Sequence, residues 1–338
     1  MIQLENMSIV LNSHPDGELA LENFRIEKSP IKKLHQGEFL VQNQWLSIDP
    51  YIRPRLNKVT PYAVSINIGE VIQGDTIGKV IASENQDFQM GDLVSTFSGW
   101  QKYYVVNEKS FFVRKIPPTS LSPTIFLSVV GTTGRSAYFG LNKIGKPKTG
   151  ETLVVSAAAG AVGSVVGQLA KLANCRVVGL AGSDMKCRYV VDELGFDVCL
   201  NYKNSNLSKS LRDACPDGID IYFENVGGRV SLQVAKYLNE GARIPICGSI
   251  ANYNNGTIVD ASAPAEFFSS LPDAPYNRFF LVTEWMRSYP ESDSFLLDAV
   301  EKNIIKYRET ILDGLESAPQ SLMDQLIGKH LGKLLIRL

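Results

Sequence analysis

Apolar and polar positions alternate in two different textures along the chain. Up to about residue 120 the apolar residues come in short β-type runs broken by Gly, Pro and Asp, such as Glu38-Phe39-Leu40-Val41, Ile77-Gly78-Lys79-Val80-Ile81, Gly91-Asp92-Leu93-Val94 and Tyr103-Tyr104-Val105-Val106. Runs of this length between turn formers predict a mostly-β domain of twisted strands. From about residue 122 onward, apolar strands of five or six residues alternate with longer helical periods. That alternation predicts βαβ units and a parallel sheet covered by helices on both faces. The pattern places strands at Thr152 to Ser156, Arg176 to Ala181, Asp197 to Asn201, Ile219 to Glu224, Arg243 to Cys247 and Phe279 to Thr283. Helices are expected near 161–173, 184–194, 204–214 and 227–239, then again over 291–309, and Lys333 to Leu338 is a last β-type run.

The chain has 338 residues, enough for two cores at about 150 residues per domain. Its 34 Lys and Arg nearly balance 35 Asp and Glu, so no basic field exists to hold a phosphate backbone or an anionic membrane surface. Nucleic acid and membrane are therefore not expected as partners. No apolar run approaches the roughly 20 residues needed to span a bilayer, and Met1 to Asn6 carry no charged-then-apolar leader. The expectation is a cytoplasmic protein. The five cysteines, Cys175, Cys187, Cys199, Cys215 and Cys247, form no CxxC pair and are read as reduced thiols, mostly filling the core.

The strongest motif follows the first predicted strand of the second texture: Ala157-Ala158-Ala159-Gly160-Ala161-Val162-Gly163, leading into Ser164-Val165-Val166-Gly167. It is a GxGxxG fingerprint with Ala158 in place of the first Gly. Small residues are needed there because backbone N–H groups and a helix N-terminus must closely approach a pyrophosphate. A glycine-rich turn of this kind also serves plain packing. Its place between a buried strand and an amphipathic helix points to a dinucleotide. About twenty residues on, where an NAD site holds its acid, stand Gly182-Ser183, then Asp184 and Lys186. Asp184 is read as a first-turn acid of the next helix, while Ser183 and Lys186 can meet a 2′-phosphate. On spacing alone Lys186 is equally a solvated helix lysine, and NAD stays open.

The stretches Ala157 to Gly167, Ala181-Gly182-Ser183-Asp184-Met185-Lys186, Leu194-Gly195-Phe196-Asp197 and Asn201-Tyr202-Lys203 resemble those of a known family. So do Asp49-Pro50-Tyr51-Ile52-Arg53, Gly134 to Leu141, Tyr222-Phe223-Glu224-Asn225-Val226-Gly227-Gly228 and Cys247 to Asn254. In order, over nearly the whole chain, they resemble the zinc-independent medium-chain reductases called prostaglandin or alkenal reductases, also described as leukotriene B4 dehydrogenases. The resemblance implies a GroES-like mostly-β catalytic domain (1–121 with 310–338) and a Rossmann doubly wound NADP-binding domain (122–309). It implies NADP(H), with Lys186 and Tyr202 on the adenosine 2′-phosphate. Asn225, the stretch Cys247, Gly248, Ser249 to Tyr253, and the backbone of Phe280, Leu281 and Val282 would line the nicotinamide side. Relatives are commonly homodimers. The family usually carries Asn where Gly328-Lys329-His330-Leu331-Gly332-Lys333 has His330, and imidazole can replace one hydrogen bond with a pH dependence. The segment Thr60 to Ile68 is the kind of surface loop that varies near the cleft mouth.

No metal is expected. The chain has only His14, His35 and His330, and shows Gly69-Glu70-Val71 where a zinc enzyme would show Gly-His-Glu. None of the thirteen tyrosines begins a Tyr-x-x-x-Lys pair, so simple carbonyl reduction lacks its usual acid. Conjugate reduction needs less: hydride reaches the β-carbon, and hydrogen-bond donors stabilise the enolate before the α-carbon is protonated. Tyr253 and Tyr51 are the candidate donors; each can equally be a core tyrosine with a satisfied hydroxyl. The sequence thus points to NADPH-dependent reduction of an enal or enone double bond. A quinone reductase on the same scaffold and a non-catalytic NADPH sensor are the competing readings.

Overall fold

The computed structural model describes residues 4–59, 64–204, 206–254 and 263–338. The part of the predicted variable loop at 60–63 lies outside the described residues. The N-terminal half contributes β1 (Glu5–Leu11), β2 (Phe24–Pro30), β3 (Phe39–Ile48), β4 (Thr76–Ser83), β5 (Leu93–Thr96), β6 (Tyr103–Val106) and β7 (Val113–Lys115). The middle of the chain contributes β8 (Thr152–Ser156), β9 (Arg176–Ala181), β10 (Val198–Asn201), β11 (Ile219–Phe223), β12 (Leu238–Ile246) and β13 (Tyr276–Phe279). Two more strands, β14 (Glu309–Asp313) and β15 (Lys333–Arg337), close the chain.

These strands form three sheets. The antiparallel pair β1–β2 flanks a seven-stranded sheet of order β14-β15-β3-β4-β5-β7, with β6 added to β3. The third sheet is parallel, with order β10-β9-β8-β11-β12-β13. Counted from β8 this is 3-2-1-4-5-6, the doubly wound order with its switch point between β8 and β11. The architecture is therefore a GroES-like β unit joined to a Rossmann sheet. No helix among the described residues is long and apolar enough to cross a membrane.

The unbroken apolar runs of β8, β9 and β11 reflect burial on both faces. Leu153, Val155, Ile221 and Phe223 pack on one side against Val165, Val166, Leu169, Leu296 and Val300. Their neighbours Val154, Val178 and Tyr222 face the other side, onto Leu207, Leu211, Val230 and Val234. A second core, with Ile9, Leu46, Ile48, Trp100 and Leu334, lies under the N-terminal sheet. Between the two units, Asp293 on helix Tyr289–Glu301 receives both Arg135 from helix Thr132–Phe139, at 2.7 and 2.8 Å, and Arg114 from β7.

Several boundaries differ from the sequence pattern. The sixth strand of the parallel sheet runs over Tyr276–Phe279 rather than Phe279 to Thr283. There the Leu281 amide donates to Glu284 Oε1 at 2.9 Å, turning the chain into the helical segment Val282–Ser288. The helix expected over 291–309 stops at Glu301, where Asn303 adopts a left-handed φ of 55° and Ile304 N–H returns to Ala299 O. Residues 309–313 are a strand instead, and β12 starts five residues earlier than expected. Helices Thr132–Phe139 and Ala318–Leu326 are not among the elements that the sequence pattern predicts.

The helix after β8, Gly163–Leu172, approaches the sheet closely enough that a Cβ on Gly167 would sit 1.8 Å from the Phe196 ring. Ala in place of a helical Gly ordinarily gains about 0.5–1 kcal/mol. Overpacking costs about 1–3 kcal/mol, so Gly167→Ala is expected to lower stability, read as a drop in the thermal midpoint. Adding Phe196→Leu should recover part of the loss; a midpoint unchanged or raised by Gly167→Ala alone would refute this packing argument.

Candidate active site

The loops after β8 and β11 diverge at the switch point and open a crevice there. After β8 the chain turns through Ala157, at φ 51°, so that buried Ala158 donates its amide to Leu180 O at 2.9 Å. Gly160 follows, and Gly163 begins the helix. A Cβ at Gly163 would stand 2.4 Å from the Ala157 carbonyl oxygen, which explains the small residue there. Ala161 and Val162 stand half-buried just ahead of the helix. The Ser164 and Val165 amides are taken by Gly160 O and Val162 O at 3.1 Å, and the positive dipole at this end of the helix favours an anion.

At the tip of β9, Ser183 caps helix Asp184–Arg188 by accepting the Lys186 amide at 3.3 Å. Tyr202, just beyond β10, places its hydroxyl 2.9 Å from where a Cβ of Gly182 would lie. The Lys186 ammonium donates to Gly328 O at 2.7 Å, which carries it across to the C-terminal segment that holds His330. Burial, followed by the charge of Lys203, lowers the Lys186 pKa. His330 is half-buried, and its Nε2 has no hydrogen-bond partner. Burial pushes the His330 pKa down, Asp324 opposes this, and Lys186 and Lys329 add to it. A phosphate bearing negative charge would relieve both the repulsion among these cations and the unpartnered imidazole nitrogen.

The opposite end of the crevice is built on Glu224, which is completely buried. Its carboxylate accepts from Ser156 Oγ at 3.0 Å, Tyr222 at 2.9 Å, the amides of Val226 and Gly227 at 2.7 and 2.9 Å, and Ser231. This network ties β8 to the turn after β11. It also orients Asn225, which donates its amide to Ser156 Oγ and its Nδ2 to Ser156 O, both at 2.8 Å. Neither Glu224 nor Ser156 was picked out as functional from the sequence. A lone acid at the end of an apolar strand, followed by two glycines, is the signal that could have found the first.

Cys247, Gly248 and Ser249 follow β12 in the same crevice, and burial raises the Cys247 thiol pKa to about 12. Tyr253, 5% exposed, folds back over them. Its hydroxyl accepts the Ser249 amide at 3.4 Å and would lie 3.0 Å from a Cβ on Gly248. Burial pushes the Tyr253 pKa well above the usual tyrosine range, so the hydroxyl stays protonated. The Ser249 contact uses it as an acceptor and leaves its proton for another partner.

Tyr51 is half-buried beside the N-terminal core. Its segment is drawn to Tyr253 by Arg53, which is fully buried and donates Nε to Asn254 Oδ1 at 2.9 Å and Nη1 to Asn57 Oδ1 at 2.7 Å. The Phe280 side chain turns away into the core against Phe223 and Trp285, and Leu281 is 40% exposed. The amide of Phe280 is bonded to Ile246 O at 3.2 Å and that of Leu281 to Glu284 Oε1 at 2.9 Å. Among the described residues no group of three or more His, Cys, Asp or Glu is arranged to hold a metal.

A doubly wound sheet with a small-residue turn at its switch point, joined to a β unit, is a fold that dinucleotide-dependent oxidoreductases use. A model of the N-terminal domain of oxidoreductases matches residues 7–113, and one described as zinc-binding dehydrogenase matches residues 161–265. The chain is 40% identical over 335 residues to the NADPH-dependent curcumin reductase of Escherichia coli (strain K12), covering 98% of this chain and 96% of that one. It is 34% identical over 336 residues to the NADP(+)-dependent 2-alkenal reductase of Nicotiana tabacum, covering 98% and 97%. CurA from Vibrio vulnificus in complex with NADPH superposes with a TM-score of 0.91 at 38% identity, covering 98% of each chain. The chain belongs to the zinc-independent medium-chain dehydrogenase/reductase family.

The residues present fit NADP(H), on the evidence of the unpartnered His330 Nε2 beside the Lys186 ammonium. A bound phosphate favours the imidazolium, whereas the free protein, with its lowered His330 pKa, favours the neutral ring. Binding therefore draws a proton onto His330. NADPH affinity relative to NADH is expected to rise as pH falls through about 6.5, where an ordinary histidine titrates. Protonation of the 2′-phosphate itself, near pH 6, acts in the opposite direction, so His330→Asn is the reference. Identical pH profiles of the NADPH-to-NADH affinity ratio for the two proteins would remove His330 from the site.

Proposed function

We propose that this protein reduces the carbon–carbon double bond of α,β-unsaturated aldehydes or ketones with NADPH and without a metal. The observation that carries this reading is Tyr253. Its buried, protonated hydroxyl stands over the Gly248–Ser249 backbone, which would line the nicotinamide, with its proton unspent in the Ser249 contact. The activities for which the curcumin and 2-alkenal reductases are named, proteins that this chain matches over 98% of its length, support the same substrate class.

Bound NADPH supplies the hydride. Ala161, Val162 and Gly163, with Ala158 and Gly160 in the turn, would face its pyrophosphate. Ser183, Lys186, Tyr202 and His330 would hold the 2′-phosphate. Asn225, Cys247, Gly248, Ser249 and the backbone of Phe280, Leu281 and Val282 would line the nicotinamide. As charge builds on the substrate carbonyl oxygen, Tyr253 donates to it, and Tyr51 is a second donor from the N-terminal sheet. Such a donor is worth about 2–4 kcal/mol when charge develops in a site closed to water.

In this reading residues 1–121 and 310–338 are the catalytic domain and 122–309 the NADP-binding domain; the pairing of β15 with β3 supports that division. We further propose a cytoplasmic homodimer. Five free cysteines suit a reducing compartment, and β13 leaves an open edge on the parallel sheet among the described residues, with Tyr276 exposed.

The test is NADPH oxidation by purified protein with a chelator present, comparing enals, enones, a quinone and a saturated aldehyde. Turnover of enals or enones but not of the saturated aldehyde is the expected result; turnover of the quinone alone overturns the substrate class. Lys186→Ala should raise KM for NADPH about tenfold or more while changing that for NADH little, as loss of a charge-assisted hydrogen bond predicts. Equal effects on both cofactors would sink the 2′-phosphate assignment. Tyr253→Phe should lower kcat for an enone about thirtyfold to several-hundredfold with a small effect on NADPH binding, and unchanged kcat would remove Tyr253 from the mechanism.

A further inference from the structure

Two of the five cysteines meet beside the 2′-phosphate residues. Cys199 in β10 donates its thiol to Cys187 Sγ across 2.9 Å. Cys187 follows Lys186 directly, and its amide is bonded to Ser183 O at 3.0 Å. Cys187 is buried, with 9% exposure, and Cys199 is half-buried. The Cys199 hydrogen bond lowers the Cys187 pKa against the effect of burial, so Cys187 is the better nucleophile of the two. Burial raises Cys175 and Cys215 to about 11 and Cys247 to about 12, and the hydrogen bond to Cys187 raises Cys199 as well, so Cys187 is the one thiol of the five whose pKa is lowered.

We propose that Cys187 and Cys199 are an oxidisable pair in which a hydroperoxide closes a disulfide, and that this bond loosens the hold on the adenosine 2′-phosphate. The second half of the proposal rests on the function proposed above. The Cys187 thiolate attacks the peroxide, the O–O bond breaks, and the leaving oxygen takes up the thiol proton as water or an alcohol. Cys187 is left as a sulfenic acid. Cys199 sulfur then attacks Cys187 sulfur, the S–O bond breaks, and hydroxide departs with the Cys199 proton as water. Two thiols have lost two electrons and the peroxide has gained them.

Closure needs the sulfurs to approach from 2.9 Å to about 2.05 Å. β10 is held to β9 in register from Val198 to Asn201, whereas Cys187 sits in helix Asp184–Arg188, outside any strand pairing, which runs on into the helical turn Tyr189–Glu193. The helix is therefore the element that shifts, and it carries Lys186 and the Ser183 cap with it. Contacts to a 2′-phosphate lose their geometry, whereas the pyrophosphate turn, on another helix, does not move.

The experiment is peroxide titration of the purified protein, read by thiol count, peptide mass and fluorescence titration of cofactor binding. Thiols accessible after denaturation should fall from five to three with a mass loss of about 2 Da. Tryptic digestion should yield Cys187-Arg188 joined to Tyr189–Lys203, and dithiothreitol should reverse the link. The oxidised protein should bind NADPH about three- to tenfold more weakly, with little change for NADH. Cys199→Ser should form no link and keep its NADPH affinity. Five retained thiols, a link between other cysteines, or a Cys187–Cys199 link without change in NADPH affinity each overturn the proposal. Failure of the reduced protein to bind NADPH overturns the proposed function and with it the coupling, while the peptide map still decides the disulfide.

Discussion

The geometry of the crevice depends on one junction, where the C-terminal segment binds both sheets at neighbouring residues. Gly332 donates its amide to Ala159 O at 2.9 Å and forms a parallel bridge with Gly160. The next residue, Lys333, buries its ammonium against Asp49 and donates to Ile48 O at 3.3 Å. Glycine is required at 332, since φ is 70° and a Cβ would lie 2.0 Å from Arg308 O. A buried ion pair of this kind gains little net stability, but removing one partner strands the other charge at a cost of about 3–5 kcal/mol. The junction therefore holds the Ala157–Gly163 turn in one fixed place relative to the Asp49–Arg53 segment and Tyr51.

From that junction the remaining contacts orient the two ends of the crevice separately. Glu224 satisfies its buried charge with five donors, and in doing so sets the turn that carries Asn225. Arg53 reaches across to Asn254 and brings the chain after Tyr253 against the N-terminal half. Burial lowers the Arg53 pKa to about 10, still far above neutrality, so the link keeps its charge. The adenosine end is different in kind. There Lys186 and Lys329 set positive charge beside His330, whose Nε2 is unpartnered, an arrangement costly to the free protein and favourable to an anionic ligand.

Much of this was legible in order along the chain. The small-residue turn Ala157 to Gly163, the five strands from β8 to β12 and the acid-poor tip at Gly182-Ser183 are local patterns, and local patterns follow from backbone sterics and burial. Boundaries fared worse where a side chain far from the periodic signal intervened. Glu284 captured the Leu281 amide and ended β13 early, and Asn303 in a left-handed conformation stopped a helix that composition alone would continue. The buried role of Glu224 was hidden because an acid reads as a surface residue until its donors are placed around it.

By itself the sequence determined the two kinds of sheet, the dinucleotide turn, the absence of any long apolar span and the family to which the chain belongs. Each rests on residues close together in the chain or on the pattern they make in succession. The tertiary structure decided which distant residues share a site: Lys186 with Gly328 and His330, Arg53 with Asn254, Cys187 with Cys199, and Lys333 with Asp49. Such pairings depend on how two sheets and their connecting loops pack, and periodicity along the chain holds no information about contacts made across it.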